Sequence, residues 1–129
     1  MIEGSYTIQG LTNYNNIIEE IIKILQLSDH WFDIKLILTE AITNAYNHGN
    51  KGDKEKPILI KFNYDGKNVI FEIVDCGDKK EDLIVPNEVS DSSVLEERGR
   101  GLFLIQCLTD KVKLYENTLR IEKAIINSV

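Results

Sequence analysis

Three short stretches hold the residues with chemical potential: EAITNAYNHG at 40–49, Asp75-Cys76-Gly77, and Gly99-Arg100-Gly101. In the first, Glu40, Asn44 and His48 recur every fourth residue, so on a helix they share one side. A carboxylate with an amide one turn further on suits two tasks. The amide oxygen can ligate Mg²⁺, which takes oxygen ligands and keeps several waters. The carboxylate can accept a proton from an attacking hydroxyl or water. The same spacing also describes an ordinary solvated helix face.

Asp75 follows the alternating run Phe71, Ile73, whose odd positions point into a core, and so continues the buried face. A carboxylate there needs a hydrogen-bond donor, because an unpaired buried charge is costly. An adenine amino group is one such donor, and Gly77 lets the backbone approach a flat base. A turn N–H or a lysine would satisfy the same carboxylate. Gly99-Arg100-Gly101 precedes an apolar helical run, where free N–H groups and the positive helix end attract phosphate. Arg98 and Arg100 add charge, although Gly-x-Gly is equally an ordinary loop-to-helix junction. In chain order these parts match the metal, base and phosphates of Mg-ATP.

The elements that must position them follow from periodicity. Residues 5–9 read as a short strand. Ile17, Ile18, Ile21, Ile22 and Leu25 have the spacing of an amphipathic helix over 13–26, capped by Thr12 or Asn13. A second helix is expected from Ser28 or Asp29 to about Asn47, with Trp31, Ile34, Leu38, Ala41 and Ala45 buried and Gly49 as its stop. PILIKFNY and KNVIFEIV read as a hairpin turning at Asp65-Gly66, which pairs Phe62 with Val69, Ile60 with Phe71 and Ile58 with Ile73. Residues 78–98 lack a period and are long enough for a functional loop such as a lid. LFLIQCLT then reads as a buried helix. A last hairpin pairs Val112 and Leu114 with Ile121 and Leu119 around Glu116-Asn117. This order predicts a two-layer α/β sandwich with a mixed or antiparallel sheet.

Bulk properties narrow the function. A chain of 129 residues without repeats or linkers fits a single domain, 1–129. The formal charge of −6 disfavours direct nucleic-acid binding. No apolar run approaches membrane-spanning length, and MIEGSYTIQG lacks the basic and apolar regions of a signal peptide. Cys76 and Cys107, far apart, form no metal site with His30 and His48 and are expected as reduced, largely buried thiols of a cytoplasmic protein.

With these motifs assembled, the chain resembles the ATPase superfamily shared by gyrase, heat-shock chaperones, histidine kinases and mismatch-repair proteins, the Bergerat fold. EAITNAYNHG looks like its N box, DCGDK like the G1 box D-x-G-x-G and GRGL like the G2 box, and the likeness spans roughly residues 5–125. The E-A-x-x-N-A-x-x-H-G form and the ERGRGLFLI run are especially similar to anti-sigma-factor serine/threonine kinases.

That resemblance implies ATP and Mg²⁺ as cofactors, Glu40 as catalytic base and Asn44 as metal ligand. It implies Asp75 and Gly77 at adenine, Gly99, Arg100 and Gly101 at phosphate, and Thr118 near the base, with Asn117 where Gly is common. His48 would be structural. The implied partners are a sigma factor and a small anti-anti-sigma protein that is phosphorylated, with a homodimer as the family expectation. Lys79 stands where the second G1 glycine belongs, which bears on nucleotide affinity and lid geometry. The alternative is a nucleotide-responsive binding module without kinase activity.

Overall fold

Among the described residues the alternating and helical patterns resolve into five antiparallel strands and three α-helices. The structure is a computed structural model that describes residues 1–77 and 97–125, with backbone alone at 97–99. The chain runs β1 (Ile2–Gln9), α1 (Tyr14–Leu25), α2 (Trp31–Asn44), β2 (Pro57–Tyr64), β3 (Asn68–Val74), α3 (Glu97–Leu108), β4 (Lys111–Tyr115) and β5 (Thr118–Ala124). The sheet order is β1-β2-β3-β5-β4. Buried side chains come from one sheet face only, among them Ile8, Ile58, Ile60, Phe71, Ile73 and Ile121. They join Ile18, Ile21, Ile34, Leu38, Leu102 and Ile105 of the helices in one core, which makes the two layers expected.

The second hairpin has the anticipated register, Val112 opposite Ile121 and Leu114 opposite Leu119. The first slips by two residues. Phe62 pairs with Phe71 and Ile60 with Ile73, so every side chain keeps its face although its partner changes. The cause is local to Asp65. Its Oδ1 accepts the N–H groups of Lys67 and Asn68, both at 2.8 Å, and its own N–H bonds to the Asn68 carbonyl at 3.3 Å. The turn therefore centres on Gly66-Lys67, and Gly66 takes φ 94°, as a glycine-first hairpin turn requires. On the open face the slip sets Lys61 opposite Glu72, a favourable charge pairing.

The N–H bonds from Asn68 and then Lys67 hold the Asp65 carboxyl below its usual range. A folded-state pKa lower than the unfolded one means stabilisation that is present at neutral pH and lost as pH falls through the folded value. Asp65→Ala should thus melt below wild type at neutral pH, and the gap should close in strong acid. Melting curves across that range check this; a gap independent of pH would show that the carboxylate does not hold the turn.

Several local expectations change. Asn13 precedes α1 in a left-handed conformation and makes no side-chain cap. Trp31 is 42% exposed, because its indole N–H donates to the Glu19 carboxylate at 2.7 Å and Lys35 lies over its ring. Ile37 takes the buried position instead. Both cysteines are exposed: Cys76 lies beyond the end of β3, and Cys107 is on α3 away from Leu102 and Ile105. For the same reason α3 is buried on one side rather than all round. Glu97 and Arg98 belong to α3, whereas the rest of the anticipated 78–98 loop, including Lys79, lies outside the described residues. No helix among the described residues is long and apolar enough to cross a membrane.

Candidate functional site

Burial of Ile34, Ile37, Leu38, Ala41 and Ile42 fixes the rotation of α2, leaving half-buried Glu40 at the edge of the core. Asn44 ends the regular helix and is 9% exposed. The chain then widens into a π turn, Ala45–Gly49, closed by Asn50 N–H to the Ala45 carbonyl and Gly52 N–H to the Tyr46 carbonyl, both 2.8 Å. Glu40 and Asn44 therefore keep helical spacing, and His48 falls inside the turn. Such wide turns recur at functional sites.

Gly101 brings α3 onto this pair. A Cβ at Gly101 would stand 2.9 Å from both Asn44 Nδ2 and Glu40 Oε2, so a larger residue there would displace these side-chain ends. The glycine motif does not precede the helix as expected, because α3 starts at Glu97 and carries Gly99, Arg100 and Gly101 within it. Gly99 still lies among the first four residues, whose N–H groups lack intrahelical acceptors. Arg100 is exposed.

Asn44 Nδ2 is buried and makes no hydrogen bond among the described residues. Rotating the amide by half a turn presents its oxygen at that place. A buried, unsatisfied amide beside a carboxylate fits an oxygen-ligated divalent ion, and Asn44 is the residue that would hold Mg²⁺.

Asp75 sits across the cleft, half-buried rather than fully so. Its N–H bonds to the Asn117 carbonyl at 2.9 Å, and its Oδ1 accepts the Gly77 N–H at 2.8 Å. The turn bond weighed as an alternative is thus present. A carboxylate has about four acceptor positions, however, so capacity remains for a ligand amino group. Two glycines make room for it. A Cβ at Gly49 would fall 2.0 Å from Asp75 Oδ2, and one at Gly77 would fall 2.2 Å from the Gly49 carbonyl oxygen. Gly49, read from sequence as a helix stop, is also a spacer for the acid.

Ala41, Asn44, Ala45, Ile73, Asp75, Leu102, Leu114 and Leu119 line the cleft between these groups. Its volume is about 20 Å³, enough for one water, against roughly 300–1,000 Å³ for small-molecule sites. Larger hollows, near 430 and 400 Å³, lie on the helix-free sheet face by Lys61 and Lys113. Neither touches Glu40, Asn44 or Asp75.

Thr118 is not brought to it. Thr118 pairs with Val74, whereas the buried residues of β5 are Leu119 and Ile121, so strand alternation turns Thr118 to the open face. The residue missed from sequence is Asn50, fully buried and bonded to both sides of this region. An asparagine just after a helix-ending glycine looks like loop, and no local signal separates the two.

Residues 11–123 match the sequence model of the histidine kinase-like ATPase domain. The serine-protein kinase RsbW of Listeria innocua is 34% identical over 89 residues, covering 64% of this chain and 57% of that protein. RsbW of Bacillus subtilis is 32% identical over 94 residues, 67% of this chain and 58% of its own length. RsbW of Oceanobacillus iheyensis is 33% identical over 88 residues, 64% and 56% respectively. The chain thus spans under two thirds of the length of each of these relatives.

Proposed function

The chain belongs to the histidine kinase-like ATPase domain family, and from that premise we propose that it is an ATP-dependent serine/threonine protein kinase that also acts as an anti-sigma factor. The observation that carries the proposal is the unsatisfied buried Asn44 amide, which meets Glu40 at Gly101 and shares a cleft with glycine-packed Asp75.

In this reading Asp75 accepts the adenine amino hydrogen, and Gly77 leaves space beside the base. Gly99, Arg100 and Gly101 lie toward the phosphates, where helix N–H groups and positive charge favour anions. Asn44 would hold Mg²⁺, which would supply charge neutralisation at the phosphates. Glu40 receives the proton of a serine or threonine hydroxyl as its oxygen bonds the γ-phosphorus and the bond to the departing ADP oxygen breaks. The acceptor is a small anti-anti-sigma protein. Its phosphorylation dissolves its complex with the kinase, which is then free to hold a sigma factor.

Lys79, in place of the second G1 glycine, favours one further reading, a nucleotide-responsive binding module without transfer. Incubation with γ-labelled ATP and co-purified partner proteins separates the two. The kinase reading expects label on serine or threonine of a small partner; nucleotide binding without labelled protein overturns it in favour of the module.

A further inference from the structure

The cleft has two ends on different elements, and one side chain ties them together. Asn50 is 0% exposed. Its Oδ1 accepts the Cys76 N–H at 2.7 Å, inside the Asp75–Gly77 turn, and its Nδ2 donates to the Lys56 and Pro57 carbonyls, each at 3.3 Å. Its own N–H closes the π turn on the Ala45 carbonyl, one residue beyond Asn44. Loop closure alone does not explain this, because the π turn is held by backbone bonds and the side chain's acceptor is spent on the turn that carries the acid.

We infer that Asn50 is a positioning residue, which fixes the Asp75 carboxylate against the end of α2 and so sets the preference for adenine over guanine nucleotides. The logic is geometric. Asp75 is held at its N–H by Asn117 and at Oδ1 by Gly77, and Cys76 between them is gripped by Asn50. Releasing the Cys76 N–H frees the middle of the turn, and the carboxylate loses its fixed placement over Gly49. Adenine offers an amino hydrogen where guanine offers a carbonyl oxygen, so a carboxylate aimed at that place accepts from one and repels the other. Phosphate contacts, made from α2 and α3, do not depend on this turn. The inference rests on the nucleotide reading above and extends it to a residue outside the three motifs.

The test compares Mg-ADP, Mg-GDP and Mg-triphosphate binding to wild type and Asn50→Ala by calorimetry, well below the melting temperature of each. Wild type should prefer ADP to GDP by about tenfold or more, the value of a charge-assisted hydrogen bond. Asn50→Ala should bring that ratio close to one while leaving triphosphate affinity nearly unchanged. A purely structural role would lower the melting temperature and leave the ratio intact, and that result overturns the inference alone. Wild type that binds neither nucleotide overturns the nucleotide reading and this inference with it.

Hydrogen exchange in wild type decides the matter if Asn50→Ala does not fold. The Cys76 amide should be protected, and ADP should protect it further while GDP does not. Rapid exchange there, or equal protection by both nucleotides, would overturn the assignment.

Discussion

Glu40→Gln is expected to lower phosphate transfer by about 10²- to 10⁴-fold, the usual worth of a positioned general base, with Mg-ATP binding nearly unchanged. The substitution keeps the size and hydrogen-bonding outline of the side chain and removes only its ability to take a proton. Glu40 Oε2 and the Asn44 amide both border Gly101 at the α2–α3 crossing, so the two proposed roles, base and metal ligand, fall at one location. Asn44→Ala should accordingly weaken the Mg²⁺-dependent part of binding as well as transfer. Single-turnover transfer beside nucleotide titration distinguishes the pair. A Gln variant that transfers at the normal rate places Glu40 on a solvated helix edge with no proton to accept, and equal loss of binding and transfer contradicts its role as base.

Asp75→Ala is expected to remove about half or more of the stabilisation that nucleotide confers. A ligand at about a hundred times its dissociation constant adds roughly 2.7 kcal/mol by mass action. For a domain of 129 residues this corresponds to a melting shift of about 10 °C. Loss of a charge-assisted bond costs about 1.5–3 kcal/mol, or about ten- to a hundredfold in affinity. At the same nucleotide concentration the variant's shift should therefore shrink to between about a half and a sixth of the wild-type value. The variant also loses the acceptor for the Gly77 N–H, so its melting temperature without ligand is the proper baseline. A full wild-type shift in Asp75→Ala would place base recognition elsewhere.

The fold was legible because its signals are local and repeated. Alternation in PILIKFNY and NVIFEIV assigns faces without knowledge of partners, and an error of two residues in pairing leaves those faces intact. The register itself was not legible from Asp65-Gly66, because Asp65 can end a strand or begin a turn, and its bonds to Lys67 and Asn68 decide the matter. Trp31 misled because hydrophobic size suggests burial, whereas its N–H found Glu19 on the neighbouring helix.

The site divides in the same way. Glu40 and Asn44 were found by spacing on one helix, and Asp75 with Gly77 by position at a strand end. Asn50 and the spacer role of Gly49 depend on residues distant in sequence, Cys76 and Asp75, and no period or propensity marks such contacts. Thr118 was assigned by resemblance of a short segment, and the alternation of β5 sends its side chain to the other face.

The most direct test of the account is titration of the wild-type protein with ATP, with and without Mg²⁺, followed by heat of binding and by melting temperature. One nucleotide per chain, strengthened by Mg²⁺, displaced by ADP and raising the melting temperature by about 10 °C near saturation, is the predicted result. No heat and no melting shift at saturating Mg-ATP would contradict a nucleotide site built from Asn44, Asp75 and the start of α3.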